Sequence, residues 1–299
     1  MRLVYSFFIL ALVSISLQAQ QYRVDQVENP VDWVEPLMGT DSKHELSNGN
    51  VYPAIARPWG MNFWTPQTGE MGSGWIYTYG AHKINGFKQT HQPSPWMNDY
   101  GQFAIMPVTG ALRFKEKERE SWFSHKAEVV RPHYYSVYLA DHDVTAEFTP
   151  TDRAAYFRFT FPQAEQSHVI VDALDNGSFV KVLPGERKII GYTTKNSGGV
   201  PENFKNYFVL EFDKDFEAVH TFADGELSDN PEAQANHVGA AISFKTEKGE
   251  VVHARVASSF ISHEQALRNL KELDGSDFDK VRQEGREIWN EELSRIKVS

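Results

Sequence analysis

The chain has 299 residues, 41% of them hydrophobic and 13% aromatic, with a formal net charge of −10 and no cysteine. That is ample apolar material for a packed core, and it excludes wholesale disorder. The acidic balance without any basic block sets nucleic acid aside as a partner, and the lack of cysteine removes disulfides, thiol catalysis, zinc–thiolate sites and a lipid-modified amino-terminal cysteine.

The amino terminus reads as a secretory signal over residues 1–19. Arg2 supplies the positive start, residues 3–15 are apolar, and Ala19 closes a small-residue cleavage site. The apolar run is shorter than the roughly 20 residues of a spanning helix, so a cleaved signal is expected rather than an anchor. The mature chain would then be periplasmic or secreted, with no membrane attachment, and stabilised by its core rather than by disulfides.

Residues 20–33 form a polar lead-in, and residues 34–110 are rich in Gly, Pro, Trp and Asn. A strand pattern occupies 102–109. From there to about 259, alternating or β-branched and aromatic runs predict strands over 134–140, 144–149, 154–161, 168–173, 188–194, 207–212, 218–222, 237–244 and 251–258. Turn signals such as Asn176-Gly177, Pro184-Gly185 and Asp224-Gly225 separate them. Many strands with frequent turns and little helical period predict a mainly β fold: an antiparallel two-sheet β-sandwich over 20–261.

The pattern changes at Ser262. Ser262-His263-Glu264-Gln265 has the spacing of a capping box, in which Ser262 caps and Gln265 reaches back. Ala266, Leu267, Leu270 and Leu273 follow at helical spacing, Asp274-Gly275 breaks that helix, and a second helix is expected over 277–295. Residues 262–299 thus read as a helical linker. Its Trp289 and Leu293 either pack back on the sandwich or serve a further domain.

The segment 86–110, GFKQTHQPSPWMNDYGQFAIMPVTG, carries the chemistry. Aromatic rings beside short polar groups, on a loop held by a strand, suit a sugar: the ring covers the apolar face of a pyranose and the polar groups meet its hydroxyls. Asp41, Glu45, Glu70 and Asp99 are the carboxylates of the loop-rich half, but no pair has a spacing that marks a catalytic couple. No phosphate loop, His-Glu-x-x-His helix or nucleophile elbow appears, and His142, His220, His237 and His253 lack paired metal-ligand spacing.

Together with residues 50–61 (NVYPAIARPWGM) and 123–162, this segment resembles the amino-terminal domain of glycoside hydrolase family 92, whose members are exo-acting, calcium-dependent α-mannosidases. The matching pieces are Pro58-Trp59-Gly60-Met61, Gly86-Phe87, Thr90-His91, Asp99-Tyr100-Gly101 and Met106-Pro107. The runs FSHKAEVVRPHYYSVYL, AEFTPTDRAAYFRFTFP, SSFISHEQALRNL and FDKVRQEGREIWNEELSRIKV continue the match over nearly all of the mature chain.

The resemblance implies a sandwich that forms one wall of a terminal-mannose pocket and a helical linker to an (α/α)6 barrel absent from this chain. The barrel would supply the acid, the base and the calcium ligands, so no residue here is expected to be catalytic or to bind metal. The chain alone would be inactive. In the whole enzyme it would help hydrolyse terminal α-mannosides of glycans with inversion. The substrate-binding positions that transfer are Thr40, Trp75, His91, Trp96 and Asp99. Trp75 either stacks on a pyranose or is a buried sheet aromatic, and His91 either donates to a hydroxyl or is structural. Two departures fall at the pocket rim. Residues 48–53 replace a Gly-His that many members carry, and residues 92–96 replace a Ser-Gly turn. A stand-alone carbohydrate-binding module is the alternative from a different functional class.

Overall fold

The computed structural model describes residues 29–41, 51–71, 76–91 and 99–296. The signal at 1–19, Glu45, Trp75 and Trp96 therefore lie outside the described residues.

Two antiparallel sheets face each other. The seven-stranded sheet runs β1 (Phe63–Gln67), β3 (Gly86–Thr90), β4 (Ala104–Thr109), β10 (Ala164–Asp172), β17 (Val238–Thr246), β14 (Ala218–Ala223), β15 (Glu226–Ser228). The nine-stranded sheet runs β16 (Glu232–Ala235), β11 (Ser178–Leu183), β12 (Lys188–Thr193), β13 (Asn206–Phe212), β18 (Glu250–Ser259), β9 (Ala154–Phe161), β8 (Val144–Pro150), β7 (Tyr134–Leu139), β6 (Glu128–Arg131). A short ladder joins β2 (Lys83–Ile84) to β5 (Ser121–Trp122), and a single helical turn, α1 (Glu116–Arg119), precedes β5. The architecture is the expected sandwich. All the expected strands are present, with ends shifted by a few residues.

Alternation explains the nine-stranded sheet. In β9, Phe157, Phe159 and Phe161 are buried inward while Tyr156, Arg158 and Thr160 face outward. The sheets meet through aromatic rings. Trp64 of β1 lies 4.8 Å from Phe157 and 6.4 Å from Phe148, and Phe103 stacks on Phe208 at 4.4 Å. Such ring pairs contribute beyond the area they bury.

A second, smaller core covers the outer face of the nine-stranded sheet. There Ala266 and Leu270 of α2 (His263–Leu270), Leu273, and Val281 of α3 (Phe278–Leu293) pack on Ala154, Val209 and Ala257. Both helices start on side-chain caps: Ser262 Oγ accepts from Gln265 N at 3.2 Å, and Asp277 Oδ1 from Lys280 N at 2.8 Å. The capping box is only half formed, because the Gln265 amide donates forward to Asn269 Oδ1 at 2.9 Å instead of reaching back.

Helix α3 packs back on the sandwich. Phe278 is buried between Tyr134 and Tyr156 under the Arg158 guanidinium, 4.1 Å from its ring centre. Trp289 Nε1 donates to Ala56 O at 2.8 Å. The same helix holds the first described residues, with Arg286 forked onto Asp32 at 2.7 Å and Asn290 Oδ1 accepting from Val31 N at 3.0 Å.

Removing the Phe278 ring leaves a cavity beneath that guanidinium. Phe278→Ala is expected to cost about 3 kcal/mol, read as a lower urea midpoint at unchanged slope. An effect below about 1 kcal/mol would mean that α3 is not part of the cooperative unit.

Candidate functional site

Strand β3 sits between β1 and β4, with Gln89 opposite Trp64, Lys88 opposite Thr65 and Thr90 opposite Phe63. All five of its residues are buried. On the inner face a chain of amides runs across the sandwich. Asn62 Oδ1 accepts from Trp64 Nε1 at 2.7 Å and from Gln89 Nε2 at 3.4 Å, and Gln89 Oε1 accepts from Asn206 Nδ2 at 3.2 Å. Asn206 also donates to Gly101 O at 2.6 Å. Gly101 has φ +70°, and a Cβ there would lie 2.7 Å from the Asn206 Cβ and 2.9 Å from the Phe260 ring, so only glycine fits.

This network holds the residues just past β3. His91 N donates to Asp99 Oδ2 at 2.7 Å, and the imidazole Nδ1 lies 3.7 Å from the same oxygen. Both side chains are buried, 7% and 2% exposed, yet His91 Nδ1 and Asp99 Oδ1 have no hydrogen-bond partner among the described residues. The buried Tyr52 phenol bonds to Thr90, and burial, with the Asp99 carboxylate beside it, pushes that phenol well above its ordinary range. The His91 ring lies parallel to Tyr100 at 6.1 Å and packs against Phe260 at 4.9 Å, with Phe204 beyond. Tyr100 and Phe260 are partly exposed. A buried carboxylate and imidazole with unused polar atoms, next to accessible ring surface, form a surface suited to a polyhydroxylated ligand.

Of the five expected contact residues, the structure brings His91 and Asp99 together. Thr40 is buried and its hydroxyl is donated within its own turn, to Leu37 O at 2.7 Å, while Tyr79 N donates to Thr40 O at 3.0 Å. Trp75 and Trp96 lie outside the described residues. The other carboxylates are dispersed: Asp41 is exposed and Glu70 pairs on the surface with Lys117. Among the described residues no group of three or more His, Asp or Glu side chains is placed to hold a metal ion.

Sequence reasoning missed the supporting shell, namely Tyr52, Asn62, Lys88 and Asn206. Lys88 is fully buried on the outer face of β3 with no hydrogen-bond partner for Nζ among the described residues, and burial pulls its amine down to about 8, partly countered by Glu116 and Asp172. Nearby, Asp172 accepts from Arg119 Nη1 at 2.8 Å and pairs with His237 Nε2 at 2.7 Å. Burial alone would raise the Asp172 carboxyl, but Arg119 and His237 outweigh it and hold it far below the usual carboxylate range.

A family model, the glycosyl hydrolase family 92 N-terminal domain, matches residues 33–259. The chain belongs to glycoside hydrolase family 92. Solved family 92 structures superpose on it. An inverting mannosidase from Bacteroides thetaiotaomicron VPI-5482 is 43% identical with a TM-score of 0.88 over 92% of this chain. Another structure of the family from Bacteroides thetaiotaomicron, an α-mannosidase solved with mannoimidazole, is 30% identical with a TM-score of 0.80 over 90% of this chain. A curated relative from Arthroderma benhamiae, named an uncharacterized secreted glycosidase, is 25% identical over 96% of this chain. The chain spans 37% of each of those mannosidases and 40% of the curated relative. The family 92 elements Thr90-His91 and Asp99-Tyr100-Gly101, separate in sequence, meet in the one cluster described above.

A lysine depressed by burial opposes folding below its folded value, and ceases to do so as pH rises toward its unfolded value of about 10.4. Stability is therefore expected to climb between about pH 8 and pH 10.4. Lys88→Met should be about 3 kcal/mol more stable than the parent at pH 7, with the gain vanishing near pH 10. Parallel stability–pH curves for the two proteins would show that Lys88 titrates normally.

Proposed function

We propose that this chain is the sandwich part of an exported α-mannosidase that removes terminal α-mannosides from glycans with inversion, and that it supplies one wall of the mannose pocket. The observation that carries this reading is the His91–Asp99 cluster with its unused buried polar atoms, in a chain 43% identical to an inverting mannosidase. In the pocket, the Asp99 carboxylate would accept from a sugar hydroxyl and the His91 ring would orient it, with Trp75 offering a stacking face and Trp96 the rim.

Inverting hydrolysis needs two carboxyl groups separated widely enough to admit a water. The cluster offers Asp99 alone, so the acid, the base and the calcium ligands are assigned to a following (α/α)6 barrel. An apolar cleft of about 390 Å3 between Ala54–Phe63 and the end of α3 supports such a neighbour: Trp59 on its wall is 90% exposed, with Met61 and Ile296 also exposed. Apolar surface of that kind marks a contact for another protein surface. Export is supported by the secreted relative and by the signal-like start; no helix among the described residues is long and apolar enough to cross a membrane.

The 20–299 polypeptide should show no hydrolysis of an aryl α-mannoside with or without calcium. Turnover that calcium restores after chelation would move the catalytic set into this chain. In the full-length enzyme, Trp75→Ala and His91→Ala should each lower kcat/KM at least about tenfold, since about 1.4 kcal/mol is one decade. His91→Ala should also lower the melting temperature, because its ring packs on Phe260. Full activity in both variants would remove these residues from the pocket.

A further inference from the structure

On the outer face of the nine-stranded sheet, away from β3, a cleft of about 360 Å3 opens between α3 and the turn before β7. It is lined by His133, Asp279, Arg282, Gln283 and Arg286. The four helical residues fall at i, i+3, i+4 and i+7, one face of α3. The helix comes close because residue 285 is glycine: a Cβ there would stand 3.2 Å from the His133 Cβ.

The partners in this cleft are unevenly matched. Arg286 is committed to Asp32, the Gln283 amide to Glu287, and Asp279 to Arg158, which also holds Glu147. Arg282 lays its guanidinium on the Tyr134 ring at 3.7 Å, and none of its N–H groups has a hydrogen-bond or ion-pair partner among the described residues. His133 is 3% exposed and its Nδ1 is also without a partner. We infer that this cleft is a binding site for a tetrahedral oxyanion, a phosphate or sulfate group, gripped by the edge of the Arg282 guanidinium with the His133 ring as a further donor.

Three features support the assignment. A guanidinium stacked on an aromatic ring keeps its planar fork of donors in place, the geometry that matches phosphate oxygens two at a time. The acids nearest the cleft are already engaged by other arginines, so of the two arginines that line it Arg282 is the one left for a ligand. Burial first, then Arg282, Arg286 and Arg131, push the His133 imidazole down to about 4, which records a positive local field and leaves the ring neutral at physiological pH. None of these residues touches the His91 cluster, so the inference stands apart from the mannosidase reading.

The test titrates the folded protein with inorganic phosphate, with mannose 6-phosphate and with mannose at constant ionic strength, following the His133 ring by NMR and heats by calorimetry. Phosphate or its sugar ester should bind and shift the His133 resonances while mannose leaves them unmoved. Binding of the ester alone would identify a phosphorylated sugar as the ligand, and binding of both would identify the bare oxyanion. Arg282→Gln, which keeps the side-chain stem, should weaken that binding at least tenfold, and Arg282→Lys should recover only part of it. Absence of any His133 shift with either anion, or unchanged affinity in Arg282→Gln, would overturn the site.

Discussion

Every residue of Gly86–Thr90 is covered by other parts of the protein, so its polar side chains must find partners inside it. On the inner face Gln89 does so through Asn62 and Asn206, which lie on different sheets of the sandwich or beside them. That amide chain fixes the distance between the seven-stranded sheet and the start of β13, and with it the place of Gly101 and the aromatic rings that follow. On the outer face the accounting is incomplete, with Lys88 left unpaired. The strand that carries Thr90 to His91 is therefore tied down on one side and electrostatically tense on the other. Buried polar groups that lack partners are concentrated where a fold serves something besides its own stability.

Six strands of the nine-stranded sheet (β7, β8, β9, β12, β13 and β18) were legible, and the period of two is plainest in β9, where Phe157, Phe159 and Phe161 are buried between partly exposed neighbours, whereas β6, β11 and β16 went unread. The β1 and β3 strands went unread as well. GFKQT is buried on both faces and carries polar residues on each, which erases the alternation, while FWTPQ is short and holds a proline, which reads as a turn or an edge. Lys88 reads as a solvated charge in any local window. Only the later segment around Arg119 and Phe114, folded over that face, makes it a core residue.

The candidate site divided in the same way. His91 and Asp99 were recognisable from their setting among rings and turn residues. Their supports were not, because Tyr52 and Asn206 are 39 and 115 residues distant from His91 along the chain, and nothing local marks them. The capping residues Ser262 and Asp277 were legible because a cap acts within one turn. Gln265 departed from the pattern because Asn269 offered its amide a partner farther along the same helix.

Helix α3 fastens Val31 and Asp32 by bonds that span 259 and 254 residues. During synthesis Val31 and Asp32 must therefore wait for these partners until Arg286 and Asn290 have been made. The sandwich can assemble strand by strand as it emerges, yet its edge at residues 29–34 stays open for the whole interval. Closing so long a loop comes late and depends on the rest already being ordered. In that sense α3 works as a latch: its arrival converts an assembled but open sandwich into a closed one, and any agent that recognises the unlatched edge has the interval between the making of the two segments in which to act.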